Sequence, residues 1–295
     1  MRVEGLEGSQ KALSIHVGAR IARPQKKDTS MSLIIPLCSS SGGNAVFAGS
    51  RSAGVLIDAG CSFRKLRLLL DCCGTGIDAV KAILITHEHI DHIRGLLQIT
   101  KHTEIPVYAS RGTLTYLCNN ALVSPRANLR ELSELGNAPV DYIINSFATP
   151  HDSEESVGYT LENDGYKIAY CTDLGTVTDE VRRNMFGADL VFLESNYEPE
   201  LLRKNPNYPH YIKRRIASGI GHLSNSDCGE FLGELINHGT VRFILGHLSR
   251  ENNTPALAYD NALKRLSGSG LGAVLNRDYT LEIAPVENEG RVVAV

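Results

Sequence analysis

Three histidines and one aspartate lie within six positions of this chain, in the run His87–His92, which reads His-Glu-His-Ile-Asp-His. Imidazole nitrogen is the usual ligand for Zn²⁺ and its neighbours, and carboxylate oxygens suit the same ions. Bound ions of this kind lower the pKa of water and so supply a nucleophile at neutral pH. The types and spacing of these residues therefore predict a metal-dependent hydrolytic site.

The elements on either side of this run decide where its side chains point. The apolar run 82–85 directly before it predicts a strand. If the chain leaves that strand extended, His87 and His89 point the same way, because successive side chains alternate. A helix that begins after His89 places Asp91 and His92 on its first turn, where they can face a second ion. The sequence thus predicts two neighbouring ion sub-sites.

Periodicity and turn residues predict the remaining elements. The segment 124–138 is polar and irregular. Strands are predicted at 33–37, 45–48, 54–57, 82–85, 107–109, 142–144, 157–161, 167–171, 190–193 and 243–246, and helices at 63–72, 90–100, 111–120, 208–218, 227–236 and 255–266.

Further acids and histidines stand beyond the ends of these runs. An acid in such a place must find partners or remain hydrated. A bridging position between two cations would satisfy Asp173, and a hydrogen bond to a ligand imidazole would satisfy Asp58 and fix the tautomer of that imidazole. The residues are Asp58 after run 54–57, His151 after 142–144, Asp173 after 167–171, and His247 after 243–246.

The pattern His-x-His-x-Asp-His resembles the signature of the metallo-β-lactamase superfamily, and the later residues follow in that superfamily's order. The resemblance implies an α/β fold, the four-layer αβ/βα metallo-β-lactamase sandwich, for residues 31–295. It also implies two divalent metal ions, with Zn²⁺ the first choice and Mn²⁺ compatible with the same nitrogen and oxygen donors. Carried over by position, it places His87, His89 and His151 on one ion, Asp91, His92 and His247 on the other, and Asp173 between them, while Asp58 matches the early strand-end aspartate.

A second histidine motif narrows the resemblance. Gly221-His222-Leu223-Ser224-Asn225 lies 25 positions before His247, much as a Gly-His-Ser run precedes the last ligand in ribonuclease Z. There the histidine is thought to protonate the leaving oxygen, and His222 matches it. The alternative is that His222 merely precedes a helix that Ser224 or Asn225 caps.

Together with the loop 39–44 and the run 246–253, this motif resembles the YycJ/WalJ branch of the superfamily. The resemblance covers almost everything after residue 30 and implies a 5′-to-3′ exonuclease on double-stranded DNA. Only 48 residues separate Asp173 from His222, too few for the β-CASP domain inserted in ribonuclease J. Substrate clamping would then fall to the core domain or to a second subunit of a homo-oligomer.

Two segments are predicted to contact the substrate. The loop Ser-Ser-Ser-Gly-Gly-Asn at 39–44, with Ser41 and Asn44, either cradles a phosphate or is simply a tight hairpin. The run 203–215 carries five cations and two tyrosines and ends in Lys213, Arg214 and Arg215. Such residues can hold phosphates and stack on bases, although a charged run is also typical of a solvated helix face.

Composition limits the function classes. With 42% hydrophobic and 21% charged residues, the chain can bury a sizeable core. The formal charge of −3 gives no global basic field, so any contact with nucleic acid must come from a local patch. The seven cysteines are odd in number and scattered, which indicates reduced thiols. The sequence contains neither an apolar stretch of membrane-spanning length nor a signal peptide, which favours a cytoplasmic enzyme without membrane contact.

Residues 1–30 differ from the rest in having no hydrophobic period. They predict a flexible leader, or a segment that is not part of the native protein, with Met31 as the true start. A targeting segment is the alternative.

These features favour phosphodiester hydrolysis in which Asp91 orients the nucleophile, His222 donates a proton to the leaving 3′-oxygen, and Asp58 holds a ligand imidazole. Three rivals remain open. They are a ribonuclease, a small-molecule hydrolase such as a lactonase or thioesterase, and a non-catalytic binding protein that keeps metal for stability.

Overall fold

Two β-sheets lie at the centre of the computed structural model, which describes residues 33–268, 270 and 272–294. The predicted leader at 1–30 lies outside the described residues. The first sheet has the order β13-β1-β2-β3-β4-β5-β6 and the second β12-β11-β10-β9-β8-β7. The strands are β1 (Leu33–Ser40), β2 (Gly43–Gly49), β3 (Gly54–Ile57), β4 (Val80–Leu84), β5 (Val107–Ala109), β6 (Leu129–Glu131), β7 (Ile143–Ala148), β8 (Val157–Asn163), β9 (Tyr166–Cys171), β10 (Leu190–Glu194), β11 (Arg242–Gly246), β12 (Thr280–Ile283) and β13 (Val293–Ala294).

Helices cover the outer face of each sheet. Helices α1, α3 and α4 pack on the first sheet, and α5, α8 and α9 pack on the second. No helix in the described ranges is both long enough and apolar enough to cross a membrane. The helices are α1 (Phe63–Cys72), α2 (Ile90–Ile93), α3 (Leu96–His102), α4 (Arg111–Asn119), α5 (Asp179–Met185), α6 (Pro199–Lys204), α7 (His210–Ile216), α8 (Asn225–Asn237) and α9 (Pro255–Gly268).

Strand β10 shows why the chain forms four layers. Its apolar residues alternate between the two faces, as strand geometry requires. Leu190 and Phe192 join the core between the two sheets, whereas Val191 and Leu193 join the core under α8 and α9. All four are fully buried, and each contributes about 1.5–3 kcal/mol of hydrophobic free energy. A strand buried on both faces reads as a continuous apolar run. The predicted four-layer αβ/βα sandwich is confirmed.

The predicted helix at 90–100 is in fact two helices, α2 and α3, which are separated at Arg94 and Gly95. The Gly95 N–H donates to the Ala59 carbonyl at 2.8 Å. A Cβ at Gly95 would come within 2.3 Å of the Cys61 carbonyl oxygen. The break lets the chain press against the loop after β3.

Other elements were not predicted. The irregular segment 124–138 contains β6, and α5, α6, β12 and β13 have no counterpart among the predicted elements. These pieces are at most seven residues long, so too few residues are present to show a period. Tertiary packing determines such elements.

Parallel strands bring the polar residues to one region. Strands β3 and β4 run parallel in the first sheet, and β9 to β12 run parallel in the second. Asp58, the run 87–92, Asp173, Glu194 and His247 lie at, or within a few residues of, the carboxyl ends of these strands. Because parallel strands end at a common edge, the fold gathers these side chains.

Candidate metal centre

Three histidines form the first group of candidate metal ligands. One nitrogen each of His87, His89 and His151 lies within 4.8 Å of the others. The His87 ring centroid lies 4.6 Å from that of His89 and 4.9 Å from that of His151. Two of these residues follow β4 and the third follows β7, so both sheets contribute to the group.

The second group consists of Asp91, His92 and His247. Oδ2 of Asp91 lies 3.5 Å from Nε2 of His92 and 3.4 Å from Nε2 of His247. Helix α2 begins at Ile90, so Asp91 and His92 occupy its first turn, as the spacing predicts. Burial would raise the pKa of Asp91, but the two histidines hold it well below its usual value.

Asp173 reaches both groups. Its Oδ2 lies 3.1 Å from Nε2 of His92, and its Oδ1 lies 3.6 Å from Nε2 of both His151 and His247. The side chain is almost completely buried. It therefore contacts histidines of both groups, and its role as a bridging carboxylate stays a prediction.

The donor set fits divalent ions. Nε2 of His87 is buried and has no hydrogen-bond partner among the described residues. A buried polar atom without a partner costs about 1–3 kcal/mol. Burial also lowers the pKa of His87 well below its usual value, which favours the neutral imidazole that binds a metal. An ion coordinated by this nitrogen would remove the penalty.

Asp58 orients one of the candidate ligands. Its Oδ2 lies 2.7 Å from Nδ1 of His92, and its Oδ1 accepts the Thr86 N–H at 2.9 Å. Burial raises the pKa of Asp58. Because this hydrogen bond engages Nδ1, Nε2 of His92 faces the other members of the second group of ligands.

Glu194 was not predicted, yet it orients two histidines. Its Oε1 lies 2.7 Å from Nδ1 of His247 and 2.9 Å from Nδ1 of His222. Its Oε2 accepts the N–H groups of Leu174 and Leu223. Burial would raise the pKa of Glu194, but attraction to His222 and the hydrogen bonds to both histidines bring it to about 2. The sequence does contain a signal for Glu194. An acid ends the apolar strand β10, much as Asp58 and Asp173 stand just after their own apolar runs.

His222 lies between the two groups. Its ring centroid is 5.2 Å from that of His151 and 5.4 Å from that of His247. Although burial lowers its pKa, Glu194 raises that pKa above the usual value. The preceding carbonyl, of Gly221, lies 2.9 Å from Nδ1 of His151. The segment at 221–222 therefore orients a first-group ligand and presents His222 beside it. His222 also precedes a capped helix, as the alternative interpretation of this motif predicts, because Ser224 caps α8.

Three of the site residues have left-handed backbones. Asp58, Asp173 and His247 have φ values of 60°, 55° and 54°. Non-glycine residues seldom adopt this conformation, and it costs about 1–3 kcal/mol. Each residue sits just after a strand, where the left-handed turn directs its side chain. Such backbone strain clusters at functional sites.

Gly60 allows the ligand-bearing helix to approach β3. The Ala59 N–H donates to the His92 carbonyl at 2.7 Å. A Cβ on Gly60 would lie 1.6 Å from the Asp91 carbonyl oxygen. Only glycine leaves room for that carbonyl.

We therefore expect Gly60→Ala to lower the free energy of unfolding by at least about 2 kcal/mol, because the backbone of Asp91 must move. Urea unfolding measures this change, and bound metal should fall with it. Gly136→Ala is the control, since no described atom lies within 4 Å of a Cβ there. Equal stability of the two variants would contradict the close packing at Gly60.

The two loop residues predicted to contact substrate occupy different environments. Ser41 is exposed at the β1–β2 turn. Asn44 is buried, and its Nδ2 lies 3.0 Å from the Ser40 carbonyl oxygen and 3.3 Å from Oδ2 of Asp91. Its amide thus faces a metal ligand.

The basic run is partly neutralised. Arg203 and Lys204 pair with Glu200, and Arg215 pairs with Asp152, the residue after His151. Lys213 donates to the Arg203 carbonyl at 2.9 Å. Arg214 is exposed on α7. The ion pair of Arg215 brings this run next to the first group of ligands.

Comparison with known proteins identifies the fold family. The Beta-lactamase superfamily domain matches residues 54–248. The chain belongs to this superfamily. It is 34% identical over 241 residues to exodeoxyribonuclease YycJ of Bacillus anthracis, covering 80% of this chain and 89% of that protein. It is 32% identical over 239 residues to exodeoxyribonuclease WalJ of Streptococcus pneumoniae, covering 80% and 88%. It is a YycJ/WalJ-type member and a metal-dependent hydrolase, as predicted.

Solved structures agree on the fold. The YhfI protein of Bacillus subtilis, a metallo-β-lactamase fold protein, superposes with a TM-score of 0.65 at 15% identity, covering 90% of this chain and 100% of that one. The short form of human tRNase Z gives 0.55 at 16% identity, covering 90% and 98%. At these identities the superpositions define the superfamily fold alone.

Proposed function

We propose that this protein is a nuclease that degrades double-stranded DNA from the 5′ end with two divalent metal ions. The observation that carries the proposal is His222, held by Glu194 at 2.9 Å and placed beside both groups of ligands. A leaving alkoxide needs a proton, and a histidine so placed can supply it. The names of the YycJ and WalJ relatives support DNA as the substrate.

Each site residue has a role in this proposal. Divalent ions, when bound, supply Lewis acidity that lowers the pKa of water and offsets negative charge on phosphate oxygens. Asp91 orients the attacking water and accepts its proton. His222 donates its Nε2 proton to the leaving 3′-oxygen, while Glu194 holds the ring through Nδ1. Asp58 keeps His92 in position through Nδ1. Zn²⁺ is the first choice for an all-histidine and carboxylate site, and Mn²⁺ fits the same donors.

The basic run supplies a surface for the DNA backbone. Arg214 is exposed, and Lys213 and Arg215 are neighbours on the same helix. Through Asp152, Arg215 connects that helix to the loop of His151. Cations next to a metal centre attract phosphates and release counterions on binding. Exposed Ser41 adds a hydroxyl donor on the β1–β2 turn.

Degradation of end-labelled nucleic acids tests the proposal. Metal-loaded protein is incubated with duplex DNA, single-stranded DNA and RNA, with and without chelator, beside Asp91→Ala. We expect loss of duplex from the 5′ end that stops on chelation and is absent in Asp91→Ala, while circular dichroism shows that the variant remains folded. Preferential cleavage of RNA would make the protein a ribonuclease. Cleavage of no nucleic acid would favour a small-molecule hydrolase.

A further inference from the structure

A small pocket opens beside the β1–β2 turn. Its volume is about 240 Å³. Gly42, Lys65, Arg94, Arg250 and Glu287 are among its lining residues.

Both arginines of the pocket are close in sequence to metal-ligand positions. Arg94 lies two residues after His92, and its Nη1 donates to the Gly42 carbonyl at 2.6 Å. Arg250 lies three residues after His247 and is exposed. Its guanidinium packs on Gly42, where a Cβ would come within 3.1 Å of Cζ.

The charge of the pocket is not balanced. Lys65 pairs with Glu287 at 2.5 Å, so these two charges offset each other. Within the described ranges, neither arginine forms an ion pair, and Arg250 has no side-chain hydrogen bond. Two guanidinium groups therefore line the pocket, and neither has a carboxylate partner among the described residues. The planar donor fork of arginine matches the oxygens of a phosphate and binds two of them at once.

The β1–β2 hairpin links this pocket to the metal centre. Gly42 lines the pocket, and Asn44, two residues later, reaches Oδ2 of Asp91 at 3.3 Å. The Ser40 N–H holds Oδ1 of Asn44 at 3.2 Å, which fixes the amide. The hairpin that lines the pocket therefore also contacts Asp91 of the second group of ligands.

We propose that this pocket binds a phosphate of the nucleic-acid strand next to the scissile bond, through Arg94 and Arg250. The proposal rests on the proposed nuclease function. The bound phosphate is either the 5′-terminal phosphate or a neighbouring phosphodiester. In both cases the bound phosphate sets the register of the strand relative to the metal centre. The pocket differs from the basic run in its connection to the centre, because the run contacts the loop of His151 and the hairpin of the pocket contacts Asp91.

Binding measurements on metal-loaded protein test the pocket without requiring cleavage. The probes are 3′-labelled duplexes with nuclease-resistant phosphorothioate linkages, with either a 5′-phosphate or a 5′-hydroxyl, and fluorescence anisotropy gives Kd against salt concentration. We expect Arg94→Gln and Arg250→Gln each to raise Kd by about tenfold and to reduce the salt slope by about one. Arg126→Gln removes an exposed arginine elsewhere and should change neither.

Two variants keep the test independent of folding. Arg250→Gln breaks no hydrogen bond or ion pair within the described ranges. Arg250→Lys keeps the charge but loses the planar donor fork, so its Kd should fall between those of the wild type and Arg250→Gln. Loss confined to the 5′-phosphorylated duplex identifies the terminal phosphate. Equal loss on both duplexes identifies an internal one.

Unchanged affinity and slope in both glutamine variants would overturn the proposal. Normal cleavage by both glutamine variants at wild-type KM would also overturn the pocket proposal, but it would support the nuclease function. Conversely, the protein could bind through both arginines and cleave no nucleic acid. That result would contradict the nuclease function and support the pocket.

Discussion

Asp173→Asn is expected to abolish hydrolysis and to lower the metal content of both sub-sites together. Among the described residues, its carboxylate is the one that approaches histidines of both groups, at 3.1 Å from His92 and 3.6 Å from His151. Loss of an outer-shell partner already costs about 10–100-fold in metal affinity. Removing a carboxylate shared by two ions should lower the affinity for each ion by more than the upper end of that range.

Asparagine is the informative substitution here because of the backbone. Asp173 has a φ of 55°, and asparagine tolerates this left-handed conformation better than alanine does. The variant therefore removes charge with little added backbone strain. Metal content by mass spectrometry, after dialysis against a weak chelator, measures the effect.

The control for this variant is Asp179→Asn, an acid that is 88% exposed at the start of α5. It should keep its metal and its activity. If Asp173→Asn retained two ions at wild-type affinity, Asp173 would not be a bridging ligand. Loss of one ion alone would place it on a single sub-site.

The sequence was most informative where chemistry and period coincide. The run 87–92 carries its own ligands, and the helix after it begins at Ile90, as its spacing predicts. The strands at 54–57, 107–109 and 167–171 were placed within one residue because they are short, apolar and bounded by turn residues. Such local signals need no knowledge of the fold.

Glu194 shows where sequence reasoning stopped. It ends an apolar strand and has no histidine nearby in the sequence. Its partners, His222 and His247, lie 28 and 53 positions away. Only the parallel pairing of β10 with β11 brings Gly246 beside Glu194 and so places His247 within reach. A contact created by sheet register is not visible in a single strand.

Asn44 illustrates a second limit. A loop rich in serine and glycine favours phosphate binding, and the sequence does not show which side chains turn inward. In the structure the loop is a two-residue hairpin turn that directs Asn44 to Asp91 and leaves Ser41 outside. The direction of a side chain near a turn depends on strand register.

His222→Ala is expected to lower kcat on DNA by about 10²–10⁴-fold, the range for loss of a general acid. KM and metal content should change little, because Glu194 still holds His247 at 2.7 Å and the ligand groups remain intact. The measurement is single-turnover cleavage of duplex DNA beside metal analysis of the same samples.

The nature of the leaving group separates proton donation from a structural role. The leaving group of a p-nitrophenyl phosphodiester is a stabilised phenolate, which needs no proton. His222→Ala should therefore lose less than about tenfold in kcat on this substrate. The control is His238→Ala. His238 lies at the end of α8 and stacks on Phe186. An equal loss on DNA and on the activated ester would mean that His222 positions the site instead of donating the proton. A loss on DNA alone, with unchanged metal content, would assign the acid, since the activated ester is the substrate that needs no proton.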